Sequence, residues 1–191
     1  MHTRPSLLAA SMLLTLLASA GEPISLDLDA RGAARHVLHA KINIPANPGP
    51  LSLFYPKWIP GEHMPSGPIQ DLVGLHFRAG GNELAWRRDE VEMFEFHLTV
   101  PPGASSVEVE LDFLTPSGGA FSAGPSATPN LALLSWNTVL LYPKGLRSDA
   151  IEVKAKATLP EGWQFGTALP IASQNGASLT FKTTTLTTLV D

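Results

Sequence analysis

Apolar residues at every second position, repeated in several separate stretches, constrain this chain more than any other feature. A period of two turns one face of an extended segment toward a core and leaves the other in water. Ile24, Leu26 and Leu28 alternate with Ser25, Asp27 and Asp29, and Leu38, Ala40, Ile42 and Ile44 alternate with His39, Lys41 and Asn43. Phe94, Phe96, Leu98 and Val100 repeat the pattern with Glu95, His97 and Thr99, as do Val107, Val109, Leu111 and Phe113 with Glu108, Glu110 and Asp112. Ile151, Val153, Ala155, Ala157 and Leu159 form a fifth alternating run. Leu131 to Trp136 and Thr138 to Tyr142 are more continuously apolar, the pattern of strands covered on both faces. Helical spacing is hardly seen. The expected fold is therefore all-β, an antiparallel β-sandwich of short strands with Pro/Gly-rich loops.

Turn residues suggest how these strands connect. Pro101-Pro102-Gly103 forces a turn between two alternating runs and predicts an antiparallel hairpin with an acidic outer face. Leu75-His76-Phe77 and Leu84-Ala85-Trp86 flank Ala79-Gly80-Gly81-Asn82, which predicts a second hairpin whose glycines tolerate positive φ. Residues 45–50, 56–68 and 115–130 lack the pattern, and the last is a long Gly/Ser/Pro loop. With 17 prolines, 16 glycines, 44% hydrophobic residues and 16% charged ones, the balance is that of a turn-rich globular domain rather than a disordered chain.

The first twenty residues read differently. A short polar head carrying Arg4 precedes the apolar run Leu7 to Ala20, which ends in Ala18-Ser19-Ala20, the small-x-small pattern of a signal-peptidase site. The run is too short, and too interrupted by Ser11 and Thr15, for a membrane span. The expectation is a signal peptide over 1–20, cleaved after Ala20, a secreted or periplasmic product, and one β-sandwich domain over 21–191. Without Arg4, 12 basic residues face 17 acidic ones, a net charge of −5 that does not suit a nucleic-acid backbone. Zero cysteines exclude disulfides, lipid-modified cysteine and thiol chemistry. At the other end, Ser178 to Val190 reads as one more strand region with exposed apolar side chains. A neighbouring domain or partner is expected to cover them.

Catalytic motifs are missing from the pattern. A peptidase zinc site needs two histidines one helical turn apart with a glutamate between them, and no His-Glu-x-x-His occurs. His36 and His39 form the closest pair after the leader, but on a strand an odd separation sends them to opposite faces. No Gly-x-Ser-x-Gly elbow exists, Ser122 sits in a loop sequence, and Gly118-Gly119 has no basic residue following nearby to make a phosphate loop. No catalytic and no metal-ligating residue is assigned. The unusual element is Tyr55 to Ile69, where prolines at 56, 60, 65 and 68 remove backbone donors and fix φ. This should be a rigid shaped loop. Trp58, Glu62 and His63 are its candidate substrate-cleft residues, with a plugging Trp58 and solvated Glu62 and His63 as the plainer alternative.

At this loop the sequence resembles the glycyl aminopeptidase family, secreted or cytosolic gluzincins with an N-terminal β domain, a thermolysin-like catalytic domain and a PDZ domain. Trp58-Ile59-Pro60-Gly61 is the most specific match. Trp86-Arg87-Arg88-Asp89, Met93-Phe94-Glu95-Phe96, Trp136 with Leu141-Tyr142-Pro143, Leu159-Pro160-Glu161-Gly162-Trp163 and the terminal Leu189-Val190-Asp191 extend it in order along the chain. Glu62-His63 depart from the serine and tyrosine that many members carry after the Pro-Gly. The resemblance implies a non-catalytic domain beside a catalytic one that lies beyond residue 191, with zinc expected only there and no cofactor in this chain. It also implies a role in walling the substrate cleft. A different class of reading is a free-standing periplasmic ligand- or carbohydrate-binding module using Trp58, Trp86, Trp136 or Trp163 as stacking platforms. Burial of three or more of those rings would remove it.

Overall fold

A computed structural model of the protein describes residues 22–59, 61–62, 64–116 and 125–191, so the expected leader lies outside the described residues. In chain order the strands are β1 (Ile24–Asp29), β2 (Val37–Pro45), β3 (Gly49–Phe54), β4 (Leu72–Ala79), β5 (Asn82–Glu83), β6 (Trp86–Arg88), β7 (Glu95–Val100) and β8 (Ser106–Leu114). They continue as β9 (Ser126–Ala127), β10 (Ala132–Leu133), β11 (Tyr142–Pro143), β12 (Glu152–Thr158), β13 (Ile171–Asn175), β14 (Ser178–Phe181) and β15 (Thr184–Thr185), and a single turn and a half of helix, α1 (Leu186–Val190), follows. One sheet has the order β13-β14-β12-β1-β2-β8-β4-β5, with β15 also paired to β12, and a second runs β11-β3-β7-β6. Among the described residues, β9 and β10 pair only with each other.

The all-β class holds, and the pairing is antiparallel except between β1 and β12, which run parallel with Leu26 opposite Ala155. The alternation predicted the faces correctly. Leu26, Leu38, Ile42, Val109, Leu111 and Val153 all point into one buried cluster, which also takes Leu53, Phe96 and Leu98 from the smaller sheet. The opposite face of the large sheet is polar. Lys41 and Arg78 both bond the Glu110 carboxylate there, at 2.5 and 2.6 Å, and hold its pKa well below the ordinary 4.5, at about 2.

Four sequence expectations are corrected. The runs around Pro101-Pro102-Gly103 are not a hairpin: β7 pairs with β3 and β6 in the small sheet, whereas β8 pairs with β2 and β4 in the large one. The turn is an arch between sheets, and Glu95 is not on an acidic outer rim but 4% exposed. The second predicted hairpin does form at Gly80 and Gly81, with φ of 57° and 80°, but only β4 and β5 belong to it; Trp86 crosses to the small sheet. Leu131–Trp136 and Thr138–Tyr142 are not long buried strands. They become the two-residue β10, a 3₁₀ turn over Trp136–Thr138 and the short β11, with Leu131 and Leu133 exposed while Val139 to Leu141 are buried. Continuous apolarity here reflects coil laid across the sheet rather than a ladder.

The fourth correction concerns Ser178 to Val190. Its apolar side chains are covered by this chain itself: Leu179 and Phe181 of β14 and Leu186 and Leu189 of α1 are all buried. Thr185 caps the helix, its hydroxyl accepting from the Thr188 N–H at 3.1 Å, and the Leu186 N–H donates to the Ile151 carbonyl at 2.8 Å. Nor do His36 and His39 share a strand. His36 takes a left-handed conformation, φ 63°, that ends a 3₁₀ turn, and its Nδ1 bonds the Thr115 carbonyl, while His39 in β2 pairs with Asp112.

Candidate functional site

The Pro-rich segment after β3 is tied down at its neck. Tyr55 is buried, its N–H donating to the Phe94 carbonyl and its hydroxyl to the Thr138 carbonyl at 3.0 Å, and burial pushes the phenol pKa above its ordinary range. The Gly67 N–H donates to the Lys57 carbonyl, and the Lys57 ammonium reaches Glu92 at 2.6 Å. Gly67 is required by proximity: a Cβ there would stand 2.0 Å from the Pro56 carbonyl oxygen. At the tip, Gly61 at φ 80° and a 3.0 Å bond from the Glu62 N–H to the Ile59 carbonyl close a turn with the Pro-Gly signature.

This turn forms one wall of an open groove of about 650 Å³. Ile59 and Glu62, Trp136 and Asn137, and Thr188 to Asp191 all line it. Two regions singled out separately in the sequence, the Pro-rich loop and the C-terminal segment, thus meet at one place. The charged side chains among the described lining residues are the carboxylates of Glu62 and Asp191, so the groove favours hydrogen-bond donors or a cationic group. Trp58 is not part of this lining; it stands 64% exposed within the loop. His63 lies outside the described residues.

Sequence reasoning missed a polar cluster on the small sheet. His97 of β7 bonds Ser52 of β3 through Nδ1 at 2.9 Å and Asp89 through Nε2 at 2.8 Å. Asp89 also accepts the backbone N–H groups of Glu92 and Val91; these bonds and His97 hold its pKa far below the usual carboxylate range. Buried Glu95 lies beside them, and one ligand atom each from Asp89, Glu95 and His97 fall within 4.8 Å of one another. Such a set has the chemistry to hold a divalent cation. The Lys144 ammonium, however, bonds both Glu95 oxygens at 2.9 Å and supplies the positive charge itself. The alternation of Glu95 and His97 puts them on one face, but the register that adds Ser52 and the later strand that brings Lys144 are not written in the local pattern.

None of the four tryptophans is fully buried, so burial does not remove them as contact surfaces. Trp86 packs edge-on against Phe77 and Phe96, and Trp136 against Phe181, each anchored by a neighbouring ring. Residues 25–191 match the family model described as the peptidase M61 N-terminal domain. The chain belongs to that family. The peptidase M61 N-terminal domain also has a clear likeness among solved structures: an aminopeptidase N family protein from Idiomarina loihiensis superposes with a TM-score of 0.73 at 17% identity, over 88% of this chain and 28% of that one. At that identity the likeness shows the fold. An M1 zinc metallopeptidase from Deinococcus radiodurans aligns over 86% of this chain and 38% of its own, with a TM-score of 0.41 and 13% identity. The chain spans well under half the length of either structure. No curated protein matches it. The resemblance to an N-terminal domain of a glycyl-aminopeptidase-like peptidase is therefore borne out.

Proposed function

We propose that this domain is the non-catalytic N-terminal wall of a zinc aminopeptidase, exported by its leader and packed beside a catalytic domain that supplies the metal. One observation carries this reading: the turn at Ile59 and Glu62 and the Thr188–Asp191 segment line a common groove, so the loop that carries the family resemblance lies against the last residues of the matched domain. The groove's carboxylates would accept donors from a bound peptide, and the pinned neck of the loop would keep Glu62 in place while they do. Water activation belongs to the other domain in this reading. Purified residues 21–191, assayed on amino-acid p-nitroanilides with and without added zinc, are expected to give no turnover above buffer. Robust zinc-dependent hydrolysis lost on chelation would overturn the proposal.

A further inference from the structure

A second cavity, of about 340 Å³, lies under the coil that crosses the large sheet. Its floor is made by the sheet, from Leu28, Leu38, Ala157 and Leu179, and its roof by the segments around Leu133 and Phe165. Trp136 and Trp163 both line it, and Trp136 is held upright by its edge-to-face contact with Phe181, with centroids 5.4 Å apart. No described lining residue is ionisable, and among them the side-chain hydrogen-bonding groups other than the indoles belong to Gln164 and Thr167. The mouth is apolar too, with Leu131, Leu133 and Phe165 exposed.

We propose that this cavity is a binding site for a small, uncharged aromatic molecule of one or two rings. An apolar space of this size is within the range of ligand cavities. Aromatic walls and a flat sheet floor suit a planar guest, which gains edge and face contacts with the two indoles. A charged guest would be desolvated with no counter-ion to meet it, and a sugar would strand most of its hydroxyls against leucine and alanine. The cavity adjoins the groove described above, sharing Leu134, Trp136, Gly166 and Thr167 with it, but the proposal does not depend on the peptidase reading.

The test titrates the folded domain with indole and p-cresol, followed by amide chemical shifts, with benzoate and benzylamine as charged isosteres. Saturable binding that shifts residues around Ala157, Trp163 and Phe165, at least tenfold stronger for the uncharged probes, is expected. Ala157→Leu should fill the cavity and abolish binding. Phe165→Asp, an exposed substitution that leaves the core alone, should weaken it at least fivefold. No saturation up to the solubility limit, equal binding of the charged isosteres, or unchanged affinity in Phe165→Asp would overturn the proposal.

Discussion

Two residues show how single positions set the loop and the polar cluster. Gly67 does not have a left-handed φ; what it supplies is the absence of a Cβ, which would stand 2.0 Å from the Pro56 carbonyl oxygen. Gly67→Ala must therefore push the two halves of the loop neck apart, breaking the Gly67 to Lys57 bond and the placement of Glu62 beyond it. A loss of about 2 kcal/mol is expected from urea denaturation, by the mechanism of backbone overpacking. Wild-type stability in that variant would mean that the loop neck gives way freely. Glu95 is the complementary case, a carboxylate placed at a buried site because Lys144 bonds both of its oxygens there. The alternation gives Glu95 its face; it says nothing of Lys144, 49 residues later.

At the scale of elements, the large sheet is bound across β2, β8 and β4 by the Lys41–Glu110–Arg78 pairs. Glu110 has its pKa lowered from 4.5 to about 2, so it stabilises the fold above its ordinary value, and that contribution fades as pH falls from 4.5 toward 2. Glu110→Gln should cost about 1 kcal/mol at pH 7, a modest figure because the pair is partly exposed. The difference from wild type should shrink as pH is lowered through that window. A gap in thermal midpoint that stays constant from pH 7 to pH 2 would contradict it. Elements also show where local signals misled. The two runs around Pro101-Pro102-Gly103 each have one buried face, and that requirement is met equally by strands side by side or by strands stacked across a core. Here stacking prevails: the small sheet covers one end of the large one, with Phe96 of the former against Phe77 of the latter.

Across the whole molecule, buried apolar residues of both sheets, Val139 to Leu141 and Leu186 and Leu189 of α1 belong to one cluster. Urea unfolding followed by tryptophan fluorescence and by far-UV circular dichroism should then give coincident curves, since no sheet has a core of its own. Separate transitions would show the sheets to be independent units. The sequence by itself determined the alternating strands β1, β2, β7, β8 and β12, which side of each carries the core leucines, valines and phenylalanines, and the tight turn at Gly80-Gly81, because these depend on period and on local backbone chemistry. Only the tertiary structure decided that β1 and β12 run parallel, that the Pro101–Gly103 turn is an arch, that the end of the chain buries its own leucines, and that Glu62 meets the C-terminal segment across a groove. Each of those is a choice between partners distant in sequence, made by the packing of the whole core, and alternation is the same whichever partner is taken.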